Sequence, residues 1–377
     1  MSTGSSGRPP FRADHVGSLL RPQVLRQAFR RHASGEIDDA AFAGIQDSAI
    51  RDVVRLQEET GLEVVTDGEF RRSSYWGRFV ENLDGFSIRP AAFCFHDDRG
   101  HEVAFTAPYA TARIRRTRPL ALDEFAFLRD VTRVTPKITM PAPSTMHFYR
   151  CGDFADPGAY RDVDAFFADL VAIYRQEIAA LAAAGCRYLQ LDEVAIAMLC
   201  DPAIRQQVQS AGSDPDRLVA AYVAAISAAV SERPAAMAVG VHMCRGNFRG
   251  LYLSEGGYES VAETFFGEAA VTHFLLEYDT ARAGDFKPLR FVPKHKGVVL
   301  GLVSTKSPRL ESLDNLRRRV DEATAHIDLD RLAIGPQCGF ASTAAGNPVG
   351  EADERAKLLR VVEAARMIWP GGTYPIA

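Results

Sequence analysis

Apolar residues along this chain fall into short runs stopped by polar residues, and most runs are followed by a longer stretch with helical spacing. The runs at 13–20, 62–66, 137–140, 187–191, 239–243, 274–276, 298–303 and 332–334 have the length and composition of buried strands. Between the first two, residues 23–60 are rich in helix formers and stop at Gly61. Asp162 is placed to cap a helix whose Val163, Phe166, Phe167, Leu170, Tyr174, Ile178 and Leu181 share one face, with Gly185 ending it. Further helices are expected over 217–230 and 258–266, from Ser307 with Pro308 at the first helical position, and over about 351–368. The rhythm breaks over 86–116, where the strand-like segments 91–95 and 102–106 flank Asp97-Asp98-Arg99-Gly100 and predict a β-hairpin inserted after the second strand.

Short apolar strands alternating with helices imply an α/β fold with a parallel sheet, and a count of eight implies closure into a (β/α)8 TIM-type barrel. A doubly wound open sheet is the runner-up, weakened because no Gly-x-Gly-x-x-Gly follows the first strand. We expect one catalytic domain over 11–377, preceded by a disordered Ser/Gly/Pro-rich tail over 1–10.

Composition narrows the class. The chain has 377 residues, 47% of them hydrophobic, and a formal net charge of -4 without blocks of like charge, so neither nucleic acid nor a membrane surface is an expected partner. No apolar run reaches membrane-spanning length, and the six dispersed cysteines form no disulfide framework, which together predict a cytoplasmic protein with reduced thiols.

Chemistry concentrates at the strand ends. His242 and Cys244, one residue apart after the fifth strand, present an imidazole and a thiol on the same face. Glu277 closes the sixth strand, and Cys338 follows the eighth through Gly335-Pro336-Gln337. A lone buried Cys or His is more often a packing residue, but four such groups beyond successive strands make a donor set that suits Zn2+. In a barrel the polar residues just past the strands converge on one face, so Ser18, Glu69 and Asp192 are expected to ring the same pocket.

The motifs His15-Val16-Gly17-Ser18, Asp67-Gly68-Glu69-Phe70, Leu189-Gln190-Leu191-Asp192-Glu193, His242-Met243-Cys244, Glu277 and Pro336-Gln337-Cys338-Gly339, in this order, span nearly the whole chain. With them the chain resembles the C-terminal catalytic barrel of cobalamin-independent methionine synthase, and more closely its single-barrel relatives, which include epoxyalkane:coenzyme M transferase. The resemblance implies one Zn2+ held by His242, Cys244, Glu277 and Cys338, and a small thiol cosubstrate whose sulfur attacks an electrophilic carbon of an alkyl donor. Glu277, the one hard oxygen donor, is the ligand expected to yield to the incoming sulfur. The resemblance also implies that Glu69 and Asp192 bind the amino group of homocysteine and that the Gly17-Ser18 backbone helps bind its carboxylate.

Two features point towards coenzyme M instead. Full-length methionine synthases carry an N-terminal half that contributes to methylfolate binding, and no counterpart is visible in these 377 residues. The motif loops carry Arg71, Arg72, Arg245 and Arg249, and guanidinium groups suit a sulfonate. Exposed rim arginines, or counter-charges for Glu69 and Asp192, are the plain alternative. The expectation adopted is zinc-dependent thiol alkylation, leaning to epoxide opening by coenzyme M over methyl transfer to homocysteine. Opening an epoxide also needs a proton donor, for which His15, Tyr278 and His147 are candidates. A zinc-containing protein without catalysis is a third alternative, and a homo-oligomer stays open.

Overall fold

The computed structural model describes residues 7–150 and 152–371. Its strands are β1 (Val64–Val65), β2 (Leu83–His96), β3 (Glu102–Arg116), β4 (Thr135–Pro141), β5 (Tyr188–Glu193), β6 (Ala238–Met243), β7 (His273–Glu277), β8 (Gly297–Val303) and β9 (Leu332–Pro336). Seven of them form one curled parallel sheet in the order β1-β4-β5-β6-β7-β8-β9, with helices as the crossovers. Residues of β5, β7, β8 and β9 are all buried, which is why they read as continuous apolar runs rather than alternating ones.

The first expected strand, 13–20, is reduced to a single parallel bridge from Ala13 to Ile334. Asp14 N–H donates to the Ile334 carbonyl at 3.0 Å, and Ile334 N–H donates to the Arg12 carbonyl at 2.9 Å. The next amide, that of His15, is taken by the Asp14 carboxylate at 2.7 Å, and Gly17 turns the chain at φ 133°, so no ladder continues. Leu19 N–H reaching the Gly68 carbonyl at 3.1 Å ties the other side of this segment to the loop after β1. The barrel thus has seven strands and one bridging segment where eight strands were expected.

The helices follow their caps. Asp162 accepts from Ala165 N–H and starts Val163–Ala183, as its sequence predicts, and the last helix runs Glu351–Ile368. The stretch 23–60 is two helices, Gln23–Ala33 and Asp39–Glu59, because Gly35 at φ 74° stops the first and Asp38 caps the second. The helix expected from Ser307 begins instead at Leu313, capped by Ser312. Residues before it are tied down by Lys357, whose ammonium donates to the Arg309 carbonyl at 2.6 Å and to Glu311 at 3.3 Å.

Of the expected tail, residues 1–6 lie outside the described residues. Gly7 and Pro9 are buried, and Arg8 pairs with Asp330 at 2.7 Å, so residues 7–10 pack on the barrel. The inserted hairpin is longer than expected, 14 residues of β2 against 15 of β3, with the turn held by Asp97 accepting from Arg99 and His101 amides. Reciprocal backbone bonds between His96 and Tyr252, and one from Ala92 to the Tyr149 carbonyl, fasten it across the end of the barrel where β5, β6 and β7 terminate. No helix among the described residues is long and apolar enough to cross a membrane.

Candidate metal centre and thiol site

His242 sits on β6 beside Leu275 of β7, and its Nδ1–H donates to the Leu275 carbonyl at 3.2 Å. A carbonyl only accepts, so that bond leaves Nε2 as the lone pair, and this buried atom has no hydrogen-bond partner among the described residues. Cys244 Sγ lies 3.0 Å from Cys338 Sγ, and Gly246 N–H donates to Cys244 sulfur at 3.3 Å. The ligand atoms of His242, Cys244 and Cys338 lie within 4.8 Å of one another, all three side chains buried. Either thiol can donate across the 3.0 Å contact; the shared hydrogen bond, helped by His242, favours a thiolate on Cys244 against the effect of burial. Cys338 is driven upward in turn, by that same bond and by burial. A thiolate, a second sulfur and an unclaimed imidazole nitrogen in one buried cluster fit a soft divalent ion such as Zn2+.

Glu277 does not join that cluster. Its Oε2 accepts from Arg245 N–H at 3.1 Å and its Oε1 from Lys306 at 3.3 Å. Burial works against its charge, but Lys306 and then Arg245 outweigh it and hold the carboxyl below its usual range.

The cluster opens into a cavity of about 690 Å3, whose lining includes Ser18, Glu69 and Asp192 as well as the three metal-ligand candidates. Glu69 adopts φ 61°, uncommon for a residue with a side chain, with its amide held by Asp67 Oδ1 at 2.9 Å. Its Oε1 accepts from Thr139 Oγ1 at 2.7 Å and Arg72 at 3.3 Å, while its buried Oε2 has no partner among the described residues. Asp192 Oδ1 accepts from Gln190 at 2.7 Å, and burial followed by the Glu69 charge pushes Asp192 up to about 7. The loops carrying the two halves of the site touch: Phe340 N–H donates to the Ser18 carbonyl at 2.8 Å, and a methyl group at Gly339 would overlap the Ser18 side chain. Gly17 is absent from the lining, its carbonyl accepting from Thr66 Oγ1 at 2.6 Å.

None of the four arginines expected to meet a sulfonate lines the cavity. Arg72 is buried between Glu124, at 2.6 Å, and Thr139. Arg71 pairs with Asp47 at 2.5 Å and lies over the Phe127 ring. Arg245 donates to the Gly256 carbonyl and to Tyr258, on whose ring it stacks, and Arg249 is exposed at φ 54°. Arg71 and Arg72 are drawn off by carboxylates from other elements, Arg245 by the loop that follows it, and Arg249 by solvent. The candidate proton donors are likewise outside: His15 is buried beside the Val64 carbonyl, His147 is bonded to Tyr222, and Tyr278 packs against Tyr258 and Phe286. Burial lowers His15 to about 3 and His147 to about 4, and raises Tyr278.

The far wall of the cavity was not anticipated. Phe86, Phe95 and Phe105 of the hairpin line it with Trp76, Tyr149 and Phe248. Phe95 sits between Phe105 and Phe248 with its ring tilted to both, at centroid distances of 5.0 and 5.4 Å. Aromatic residues on a hairpin expected to be an insertion were the available signal.

Comparison with known proteins agrees with this geometry. Residues 11–366 match the family model described as cobalamin-independent synthase, catalytic domain. The Bacillus subtilis (strain 168) protein YxjH is 39% identical over 371 residues, covering 97% of both chains. A protein named methionine synthase from Pyrococcus furiosus is 26% identical over 329 residues, covering 86% of this chain and 85% of its own. A crystal structure titled as a putative vitamin-B12 independent methionine synthase from Listeria monocytogenes superposes with a TM-score of 0.76 at 32% identity, covering 96% of this chain and 99% of its own.

Proposed function

This chain belongs to the cobalamin-independent synthase catalytic-domain family, and on that premise we propose that it transfers a methyl group to the thiol of homocysteine, with one Zn2+ per chain. The observation that carries this reading is the lining of the cavity: beside the His242, Cys244 and Cys338 cluster stand the carboxylates of Glu69 and Asp192, and no Lys or Arg is among the described lining residues. A substrate bearing an ammonium group and a thiol satisfies both features, whereas the sulfonate of coenzyme M would be desolvated without a cation. The balance therefore moves from epoxide opening to methyl transfer.

His242, Cys244 and Cys338 would hold the ion, and Glu277, whose oxygens are held by the Arg245 amide and Lys306, would have to leave those partners to serve as a fourth ligand. When bound, Zn2+ supplies a Lewis acid that keeps a coordinated sulfur deprotonated at neutral pH. Glu69 Oε2 and the free oxygen of Asp192 receive the substrate ammonium, and the loop at Ser18 receives its carboxylate. The sulfur forms its bond to the methyl carbon as the donor's bond to that carbon breaks and the electron pair leaves with the donor. The aromatic wall of the hairpin excludes water from that exchange and packs the donor, a methylfolate or another methyl compound.

Calorimetric titration of zinc-loaded protein with homocysteine and with coenzyme M tests the choice of thiol. Homocysteine is expected to bind, and Asp192→Asn to weaken it. Tighter binding of coenzyme M, undisturbed by Asp192→Asn, would overturn the assignment.

A further inference from the structure

Below the cavity, the barrel interior holds a continuous chain of buried polar groups that ends on Asp192. Gln190 and Asp192 lie two residues apart on β5, on the same inward face. Gln190 Nε2 donates to Asp192 Oδ1 at 2.7 Å and to the Val16 carbonyl at 2.6 Å, and its Oε1 accepts from Lys137 Nζ at 3.0 Å. Lys137, fully buried on β4, also donates to Asp14 Oδ1 at 2.8 Å and to the His15 carbonyl. Asp14 Oδ2 accepts from Tyr188 at 2.5 Å, and Tyr188 meets His273 Nε2 at 2.7 Å.

The direction of this chain is dictated by chemistry. An ammonium group has donors only, so Lys137 forces the amide of Gln190 to turn its oxygen downward and its nitrogen up towards Asp192. In the opposite orientation two acceptors would face each other at Asp192 and two donors at Lys137. We infer that Gln190, oriented by Lys137, is a positioning residue: it holds one oxygen of Asp192 and leaves the other turned to the cavity, where the substrate's amino group is recognised. Glu69 is treated in the same way by Thr139 and Arg72, which hold Oε1 and leave Oε2 free. Two carboxylates, each pinned by one oxygen, are preorganised for a single ammonium group. The inference rests on the proposed function for the identity of that group.

The test compares homocysteine with 4-mercaptobutanoate, which has the same thiol and carboxylate but no amino group, binding to zinc-loaded protein. Wild type is expected to prefer homocysteine. Gln190→Leu should lose about ten- to a hundredfold of that preference, the range of a lost charge-assisted hydrogen bond, while zinc content and affinity for 4-mercaptobutanoate stay as in wild type. Gln190→Met, unbranched and close to glutamine in shape, also has no donor for Asp192, so it should show the same loss and covers the case in which the leucine variant does not fold. Full preference retained in either folded variant overturns the positioning role. Equal binding of the two thiols by wild type would instead overturn the amino-thiol reading itself.

Discussion

Arg72 separates a structural guanidinium from a substrate-binding one. Its Nε and Nη2 donate to Glu124 Oε2 at 3.0 and 2.6 Å, its Nη1 and Nη2 to the Thr139 hydroxyl and carbonyl at 2.8 Å each, and its Nη1 to Glu69 at 3.3 Å. Both carboxylates it serves are buried. Truncation to Met leaves Glu69 without an ion-pair partner among the described residues and Glu124 with Arg78 alone, at 3.3 Å, and breaking buried pairs in this way costs about 3 to 5 kcal/mol. Against a total stability of roughly 5 to 15 kcal/mol, Arg72→Met should lower the melting temperature by about 4 to 6 °C, because the unfolding entropy of a chain this long spreads each kcal/mol over little more than one degree. Circular dichroism melts of Arg72→Met and of Arg72→Met with Glu124→Met provide the assay. The double variant removes the buried carboxylate that Arg72 chiefly neutralised and should recover part of the loss. If Arg72→Met melts as wild type does and its only deficit is in binding coenzyme M, the structural assignment is refuted and the sulfonate reading returns.

Other outcomes follow from the same geometry. Purified protein should carry about one Zn2+ per chain, and elemental analysis of Cys338→Ala should show most of it lost; undiminished zinc would remove Cys338 from the site. Arg71→Ala and Arg249→Ala should bind homocysteine and coenzyme M as wild type does, since Arg71 is spent on Asp47 and Arg249 is exposed; a selective loss of coenzyme M binding would contradict this. Glu354 is buried against Leu20 N–H, and burial raises it from 4.5 to about 8. Between those values the folded chain holds a proton that the unfolded chain has released, so this group's contribution to stability falls as pH rises through the window. Glu354→Gln should therefore flatten the melting-temperature profile there; parallel profiles would show that the acid is not raised.

Much of the fold was legible because it depends on local pattern: buried strands read as apolar runs, and Asp162 marks a helix start within four residues of the groups it serves. The first strand was misjudged because its competitor is a side chain, the Asp14 carboxylate taking the amide of His15. The helix expected at Ser307 was misplaced for a non-local reason, since Lys357, some fifty positions away, holds the preceding segment in another conformation. Placement of His242, Cys244 and Cys338 needed only the rule that residues after parallel strands converge. The fate of the arginines was out of reach, because Asp47 and Glu124, which claim Arg71 and Arg72, carry no mark in the sequence that says they will be neighbours. A charge reads as available until the group that neutralises it is located.

The contact between Ser18 and Gly339 also constrains how this sequence can change with time. A side chain at 339 has no room while 18 carries one, and anything bulkier than serine at 18 presses on the backbone that follows Cys338. The two positions, more than three hundred residues apart, are therefore coupled in what substitution they tolerate. A change at 18 that leaves the cavity open can still be lost from a population because it displaces the Cys338 sulfur next door.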